Sequence, residues 1–232
     1  MSASTTTSSA LPSTTGSEAC AVGATAGAAG CATRAPRSAG WIAGSASRAV
    51  TRADADEARA IGATCGGVRV WSLYVPNGRT LEDPHLPYKL KWLSALRDTA
   101  TGWLADDPSL PLALMGDWNI APTDEDVWDM AEFQNSTHVS EPERKAFNAI
   151  IDTRFTDVVR PYTPGPGVYT YWDYTQLAFQ KRRGMRIDFI LGSPGLARRV
   201  VHAEIVKDER RPGKKGDPSP SDHAPVLVDL RR

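Results

Sequence analysis

A change of composition near residue 54 limits the fold more than any other feature, because the chain before it lacks the apolar residues that a core requires. Residues 1–53 consist mostly of Ala, Ser, Thr, Gly, Arg and Val, with one Leu, one Ile, one Trp and neither Phe nor Tyr. Such a segment buries too little apolar surface to offset its ordering entropy. We therefore expect residues 1–55 to be a low-complexity, disordered or non-native segment and residues 56–232 to form the folded domain.

The bulk charge gives no argument for a polyanionic partner, since 27 basic and 27 acidic side chains balance. The distribution is uneven, and residues 141–232 carry seventeen basic and twelve acidic side chains. That excess suits a phosphate backbone, although charge alone favours an ordinary solvated surface. The odd number of cysteines, with no zinc-site spacing, favours a reducing, cytoplasmic setting. No apolar run reaches transmembrane length, so we expect no membrane partner.

Strand and helix patterns alternate in the folded part without a strict βαβ repeat. Strand patterns cover residues 68–75, 110–115, 187–191, 200–206 and 224–230. Helix patterns cover residues 86–104 and 140–151, and the second opens with Ser140 and Glu143 at the spacing of a capping box. This mixture predicts a sheet-based α/β sandwich, not a Rossmann domain or a barrel.

Polar side chains stand where three of the predicted strands begin or end. They are Asp117 and Asn119 in GDWN, Asp188 in RIDFIL, and Asp222 and His223 in PSDHAPV. Each is weak by itself, because an Asp after a strand is more often a turn or helix cap. Together they predict a metal-assisted site, since hard oxygen ligands of this kind suit Mg²⁺ or Mn²⁺.

Five motifs carry a resemblance to a known family. LYVPNG (73–78), LMGDWNIAPTDEDV (114–127), YTYWDY (169–174), GMRIDFIL (184–191) and PSDHAPV (220–226) occur in the order found in the exonuclease III family. That family belongs to the endonuclease/exonuclease/phosphatase superfamily, and the resemblance covers residues 57–232. It implies a two-sheet α/β sandwich whose N-terminal strands are missing here.

The resemblance implies catalytic roles for the strand-end residues. Asp117 would activate or position the attacking water, and Asn119 would hold a phosphate oxygen or a metal-bound oxygen. Asp188 would hold His223, which acts as general base or orients the scissile phosphate. The implied metal set comprises Asp117, Asn119, Asp222 and His223, with Mg²⁺ (or Mn²⁺) as the cation.

Further positions would bind the substrate, if the resemblance is followed residue by residue. Tyr74 would bind the phosphate or assist the leaving oxygen, and Asn77 would contact the DNA backbone. An apolar pocket for a flipped abasic deoxyribose would be formed by Tyr171, Trp172 and Met185, although Trp172 is equally consistent with an ordinary core residue. Phosphate contacts are expected from basic residues, among them Arg183, Arg186 and the runs at 210–211 and 214–215.

The implied enzyme is an exodeoxyribonuclease III-like DNA repair nuclease, a cytoplasmic monomer acting on double-stranded DNA with abasic or blocked 3′ ends. Two features of the family do not occur in this sequence, the Asn of the opening motif and the metal-binding Glu of QETK. We therefore expect weakened metal binding and turnover. One alternative is a catalytically impaired DNA-binding fragment. Another is a different phosphoesterase of the superfamily, acting on a lipid or inositol phosphate, against which the aromatic WDY and basic RID surroundings argue.

Overall fold

The computed structural model describes residues 20–25, 28–32, 57–213 and 218–231, and the first two stretches only as backbone strands. The basic run at 214–215 therefore lies outside the described residues. Within the described part of the chain, no helix is both long enough and apolar enough to cross a membrane.

Two β-sheets form the centre of the molecule. The first has the strand order β2-β1-β9-β8 and the second the order β3-β4-β5-β7-β6. The strands are β1 Cys20–Thr25, β2 Ala28–Ala32, β3 Ala60–Cys65, β4 Val68–Tyr74, β5 Leu112–Asp117, β6 Thr156–Asp157, β7 Asp188–Gly192, β8 Val200–Ile205 and β9 Val226–Leu230. In the described part of the chain three helices accompany them, α1 His85–Asp106, α2 Glu141–Ile151 and the short α3 Pro194–Ala197. The two-sheet α/β sandwich expected from the sequence is confirmed.

The central strand β5 separates two apolar cores, because successive side chains of a strand point to opposite faces. Ala113 and Met115 pack with residues of β8 and β9 between the two sheets. Leu112 and Leu114 pack on the other face, against α1 and α2. All six residues of β5 are buried. Because β5 is packed on both faces, the residues that directly follow it are held in a fixed position.

A glycine near the end of β5 permits close contact with β4. Gly116 has φ +137°, and a Cβ built there would lie 2.0 Å from the carbonyl oxygen of Leu73. Only glycine fits both the backbone angle and the space. The two parallel strands can therefore stay paired up to their last residues, Tyr74 and Asp117.

The predicted helices are confirmed, but the capping box of α2 is wrong in its hydrogen bonds. Ser140 is the N-cap residue, yet its side chain accepts no capping bond from the helix backbone. Its hydroxyl donates instead to the Glu143 carboxylate, 2.5 Å away. Glu143 cannot reach back to the N-cap because its other oxygen pairs with Lys89 in the interior. A long-range ion pair has displaced the local pattern.

The structure also differs from expectation in the low-complexity segment. Strand β1 pairs antiparallel with β9, and β2 pairs antiparallel with β1, so this segment supplies two strands to the first sheet. Composition favours no strand here, but the backbone groups of β9 offer hydrogen bonds to any chain that can lie extended beside them. The rest of residues 1–55 lies outside the described residues, and the domain boundary stays a prediction.

Candidate functional site

Strand register aligns three predicted site residues across the second sheet. In the parallel pair β4–β5, Tyr74 lies opposite Asp117. In the antiparallel pair β5–β7, Asp117 lies opposite Asp188. The three side chains are far apart in sequence, and hydrogen bonding between the strands brings them into one row at the sheet's end.

His223 joins this row through Asp188. Its Nδ1 lies 2.8 Å from Oδ2 of Asp188, and both side chains are buried. A carboxylate at this distance orients the imidazole and stabilises its cationic form. The backbone N–H of His223 also donates to the hydroxyl of Ser221, at 3.1 Å.

The strand-like segment 169–172 fixes the His223 loop to the start of β7. The Thr170 hydroxyl oxygen accepts from the backbone N–H groups of Ile187 and Asp188, both at 3.1 Å. The Thr170 carbonyl accepts from the N–H of Ala224, at 2.7 Å. One threonine therefore sets the spacing between the strand that carries Asp188 and the loop that carries His223.

Asn119 controls the orientation of Asp117. The Asn119 backbone N–H donates to Oδ1 of Asp117 at 2.8 Å, and its Nδ2 donates to Oδ2 at 3.2 Å. The same Nδ2 donates to the carbonyl of Val75, at 3.0 Å. Asn119 has φ +50°, a left-handed conformation that asparagine tolerates better than most residues. Both carboxylate oxygens of Asp117 are thus held by one neighbour.

These groups meet in an open cleft of about 680 Å³. Its lining includes Asp117, Asp222, His223, Arg59 and Tyr74. Half of the Tyr74 surface is exposed, so its hydroxyl is accessible to a ligand in the cleft. The Arg59 guanidinium lies over the Tyr74 ring, 5.4 Å from its centroid, and pairs with the Glu57 carboxylate at 2.5 Å.

The pKa values of Asp117 and His223 are both raised above the usual values of their side chains. Burial, together with the negative charge of Asp188, raises the pKa of Asp117 to about 7. Burial lowers the pKa of His223, but the hydrogen bond and charge of Asp188, with the charges of Asp117 and Asp222, outweigh it and raise that pKa to about 9. Near neutral pH the site therefore combines an imidazolium with a carboxyl group that can take up or release a proton.

A second pocket, of about 400 Å³, adjoins the cleft. Tyr171, Met185, Trp128 and Arg183 contribute to its lining. The Tyr171 ring lies 4.9 Å from the His223 ring, which connects the two spaces. The exposed Arg183 guanidinium lies over the Trp128 ring, 4.6 Å from its centroid. Three of the predicted substrate-binding residues are thus brought together beside the catalytic row.

Two predicted DNA contacts are not in reach of a ligand, and both predictions are corrected. Trp172 is only 1% exposed and packs among Tyr169, Phe179 and Ala178, so it is a core residue. Arg186 is 4% exposed, and its guanidinium pairs with Asp126 at 2.6 Å and Asp157 at 2.5 Å. Its charge is used inside the protein and does not face solvent.

The side chains of Arg210 and Asn77 also form hydrogen bonds within the protein. Arg210 is buried and donates to the Trp172 carbonyl at 2.9 Å. Asn77 Oδ1 accepts from the backbone N–H of Arg79 at 2.8 Å, and Nδ2 donates to Asn119 Oδ1 at 3.1 Å. Asn77 therefore lies beside the site and braces Asn119.

His138 received no role from the sequence, yet it lies within this cluster. Its Nε2 is 3.3 Å from Asn119 Oδ1 and 3.4 Å from Asn77 Nδ2. No local pattern around residue 138 identifies it, because its partners lie about twenty and sixty residues earlier. Its positive φ, +77°, is a property of the fold that the sequence does not reveal.

The described residues do not complete a metal site. Among them, no three His, Cys, Asp or Glu side chains are arranged to hold a metal ion. Both oxygens of Asp117 accept from Asn119, and Oδ2 of Asp188 faces His223. Oδ1 of Asp188 is buried, and none of the described residues donates a hydrogen bond to it. Mg²⁺ usually keeps several waters and takes only one or two protein carboxylates, and the carboxylate oxygens open to a cation here are Oδ1 of Asp188 and those of Asp222.

Comparison with known proteins relates this geometry to DNA-processing enzymes. An exodeoxyribonuclease of Bacillus subtilis is 31% identical over 172 residues, which are 73% of this chain and 63% of the relative. A 3′ phosphatase of Neisseria, solved with a product DNA hairpin, has a TM-score of 0.69 at 34% identity, covering 77% of this chain and 67% of its own. An AP endonuclease of Archaeoglobus fulgidus has a TM-score of 0.68 at 31% identity, covering 75% and 66%.

The chain thus spans somewhat less than two thirds of the length of the Bacillus relative. A sequence model of the endonuclease/exonuclease/phosphatase family matches residues 23–223, a stretch that includes the whole row from Tyr74 to His223. The chain belongs to the endonuclease/exonuclease/phosphatase family.

Proposed function

We propose that this protein is an exodeoxyribonuclease III-like DNA repair nuclease that hydrolyses phosphodiester bonds at abasic sites and 3′ ends of duplex DNA. The observation that carries the proposal is the row of Tyr74, Asp117 and Asp188, completed by His223, at the edge of an open cleft. Relatives named for exodeoxyribonuclease, 3′-phosphatase and AP endonuclease activity support it. The proposal includes a cytoplasmic, monomeric protein.

Each residue of the row has a part in hydrolysis. The His223 imidazolium, held by Asp188, attracts a non-bridging phosphate oxygen and stabilises the charge that develops on it. Asp117 accepts a proton from the attacking water, for which a pKa of about 7 is well matched. Tyr74, exposed in the same cleft, donates its hydroxyl proton towards the leaving oxygen.

The second pocket provides a place for the damaged nucleotide. Tyr171 and Met185 give it an apolar wall directly beside His223. A deoxyribose without its base leaves the duplex at low cost, and polar residues such as Asp173, Thr175 and Gln176 line the rest of this pocket. Arg183 stands exposed at its rim, where it can contact a phosphate of the same strand.

The proposal includes Mg²⁺ or Mn²⁺ as the cation. This part of the proposal rests only on the chemistry of the available oxygen donors. Asp117, Asp222 and the free Oδ1 of Asp188 are hard oxygen donors, and a cation there would neutralise charge on the phosphate. The set is incomplete among the described residues. This favours a second candidate function, a protein that binds damaged duplex DNA and cleaves it slowly or not at all.

Incision of a duplex oligonucleotide with a single abasic-site analogue tests the proposal. The full chain is assayed with Mg²⁺ beside His223→Ala, which removes the imidazolium, and His202→Ala, which removes an exposed histidine of β8 far from the cleft. We expect incision by the wild type and by His202→Ala, and a loss of at least about 100-fold in His223→Ala.

Binding of the same oligonucleotide separates the two candidate functions. Binding without incision by the folded wild-type chain would reject the nuclease and support the DNA-binding protein. Neither binding nor incision, with turnover of an inositol or lipid phosphate, would reject both and assign the cleft to another phosphoester.

A further inference from the structure

The segment 137–143 contacts the turn after β5 at several independent points. The backbone N–H of Ala121 donates to the His138 carbonyl, at 2.8 Å. The Lys89 ammonium donates to the Asn119 carbonyl at 2.6 Å and also pairs with Glu143. Thr137 connects the same segment to the turn after β4, because its hydroxyl donates to the Arg79 carbonyl at 3.1 Å. The segment is therefore fixed relative to Asn119 before His138 makes any side-chain contact.

Two residues in left-handed conformations face each other in this region. Asn119 has φ +50° and His138 has φ +77°. A non-glycine residue with positive φ is uncommon and costs conformational energy, so the surrounding contacts must maintain it. With His138 in this conformation, its Nε2 lies 3.3 Å from the Asn119 amide oxygen.

The side-chain contacts form a converging set around one oxygen. Asn119 Oδ1 lies 3.1 Å from Asn77 Nδ2 and 3.3 Å from His138 Nε2. On the opposite end of the amide, Nδ2 donates to Asp117 Oδ2. Two donors on Oδ1 fix which end of the amide faces Asp117, since a flipped amide would present its NH₂ group to two other donors.

We propose that His138 is a positioning residue of the catalytic site: as the neutral Nε2–H tautomer it donates to Asn119 Oδ1 and so keeps the Asn119 amide bound to Asp117. The assignment of the tautomer follows from the partners. With the proton on Nδ1, the ring could donate to the Thr137 hydroxyl and accept from Asn77 Nδ2, both at 3.4 Å. The Nε2 lone pair would then also face the nearer Asn119 oxygen, at 3.3 Å, which is repulsive. With the proton on Nε2, Asn77 and His138 act as two donors sharing one acceptor.

The tautomer is measurable on the unmodified protein. The ¹⁵N chemical shifts of the His138 ring distinguish a protonated nitrogen from an unprotonated one, and the signals are assigned by their loss in His138→Gln. A protonated Nε2 with an unprotonated Nδ1 is the expected result. The opposite pattern would overturn the inference, whatever the activity of the chain.

Two substitutions then test positioning. His138→Gln retains an N–H donor at about the reach of Nε2, and His138→Leu fills a similar space without a donor; both lack the tolerance of histidine for positive φ, so backbone strain is matched. The readout is solvent exchange of the Asn119 side-chain amide protons, which bond to Val75 and Asp117. We expect roughly tenfold faster exchange in His138→Leu and near wild-type exchange in His138→Gln. Equal exchange rates in wild type and a folded Leu variant would refute the positioning role.

Kinetic measurements relate the inference to the proposed function. This last experiment rests on the proposed function, because it requires incision activity. In the incision assay we expect His138→Leu to lower kcat by roughly tenfold with little change in KM, and His138→Gln to restore most of it. His202→Leu serves as the matched control. An inactive wild type would count against the proposed function only, because the tautomer and amide-exchange measurements decide the positioning role without any turnover.

Discussion

The Lys89 ammonium lies 2.6 Å from the carbonyl oxygen of Asn119, in the interior between α1 and the turn that follows β5. Lys89 also pairs with Glu143 of α2, and both side chains are fully buried. A core ion pair therefore supports the backbone of a predicted catalytic residue.

Breaking this pair on one side should destabilise the protein strongly. Lys89→Met leaves the Glu143 carboxylate buried without a counter-charge, and we expect a loss of about 3–5 kcal/mol in the free energy of unfolding. Urea denaturation measures it. Arg97→Met on the exposed face of α1 is the control, and it should change stability by less than about 1 kcal/mol. A loss in Lys89→Met as small as in the control would contradict the prediction.

Substitution by alanine should have opposite effects on stability at two glycines, Gly116 and Gly102. Gly116→Ala forces a Cβ to within 2.0 Å of the Leu73 carbonyl oxygen at φ +137°, and should cost at least about 3 kcal/mol. Gly102 lies in α1 with open space around its Cα, so Gly102→Ala should stabilise the protein by up to about 1 kcal/mol. Thermal unfolding of both variants measures the difference, and a destabilised Gly102→Ala would contradict the assignment of an unstrained helix.

His138 should make the protein sensitive to acid. Burial and the nearby Lys89 charge lower its pKa from the usual 6.5 to about 4, with Glu143 opposing them. The unfolded chain therefore binds the proton first as pH falls. The resulting stability is fully present above the unfolded pKa and is lost between pH 6.5 and about 4.

Urea midpoints of the wild type and His138→Gln, compared over that pH range, isolate this contribution. Glutamine does not titrate, so the variant should lose less stability between neutral and acid pH than the wild type does. Parallel pH profiles of the two proteins would show that His138 is not the responsible group.

Arg183 and Arg186, three residues apart, should behave differently in DNA binding. Arg183 is exposed at the second pocket, and Arg183→Ala should weaken DNA binding and reduce the slope of log K against log salt by about 1. Arg186 is buried between Asp126 and Asp157, so Arg186→Met should lower stability by about 3–5 kcal/mol and leave the salt slope unchanged. A reduced salt slope in folded Arg186→Met would restore Arg186 as a phosphate contact.

The sequence predicted the helices α1 and α2 and the strands β4, β5, β7, β8 and β9, because these are recorded in local patterns, but it did not predict β3, β6 or α3. Apolar residues recur between positions 86 and 104 with the period of a helix, and α1 covers this range. Residues 68–75 have the composition of a strand, and β4 follows it. The motifs around Asp117, Asp188 and His223 likewise stand where strands start or stop, so their meeting at one edge could be expected.

Tertiary structure alone decided which of these side chains face a ligand. Tyr74, Asp117 and Asp188 align only through the register of three strands from distant parts of the chain. Arg186 and Trp172 match the family motifs but are buried by partners that no local pattern identifies. His138 and the strands β1 and β2 acquired their places the same way. Local patterns specify which conformation a segment prefers, whereas burial and pairing depend on what the remainder of the chain places beside it.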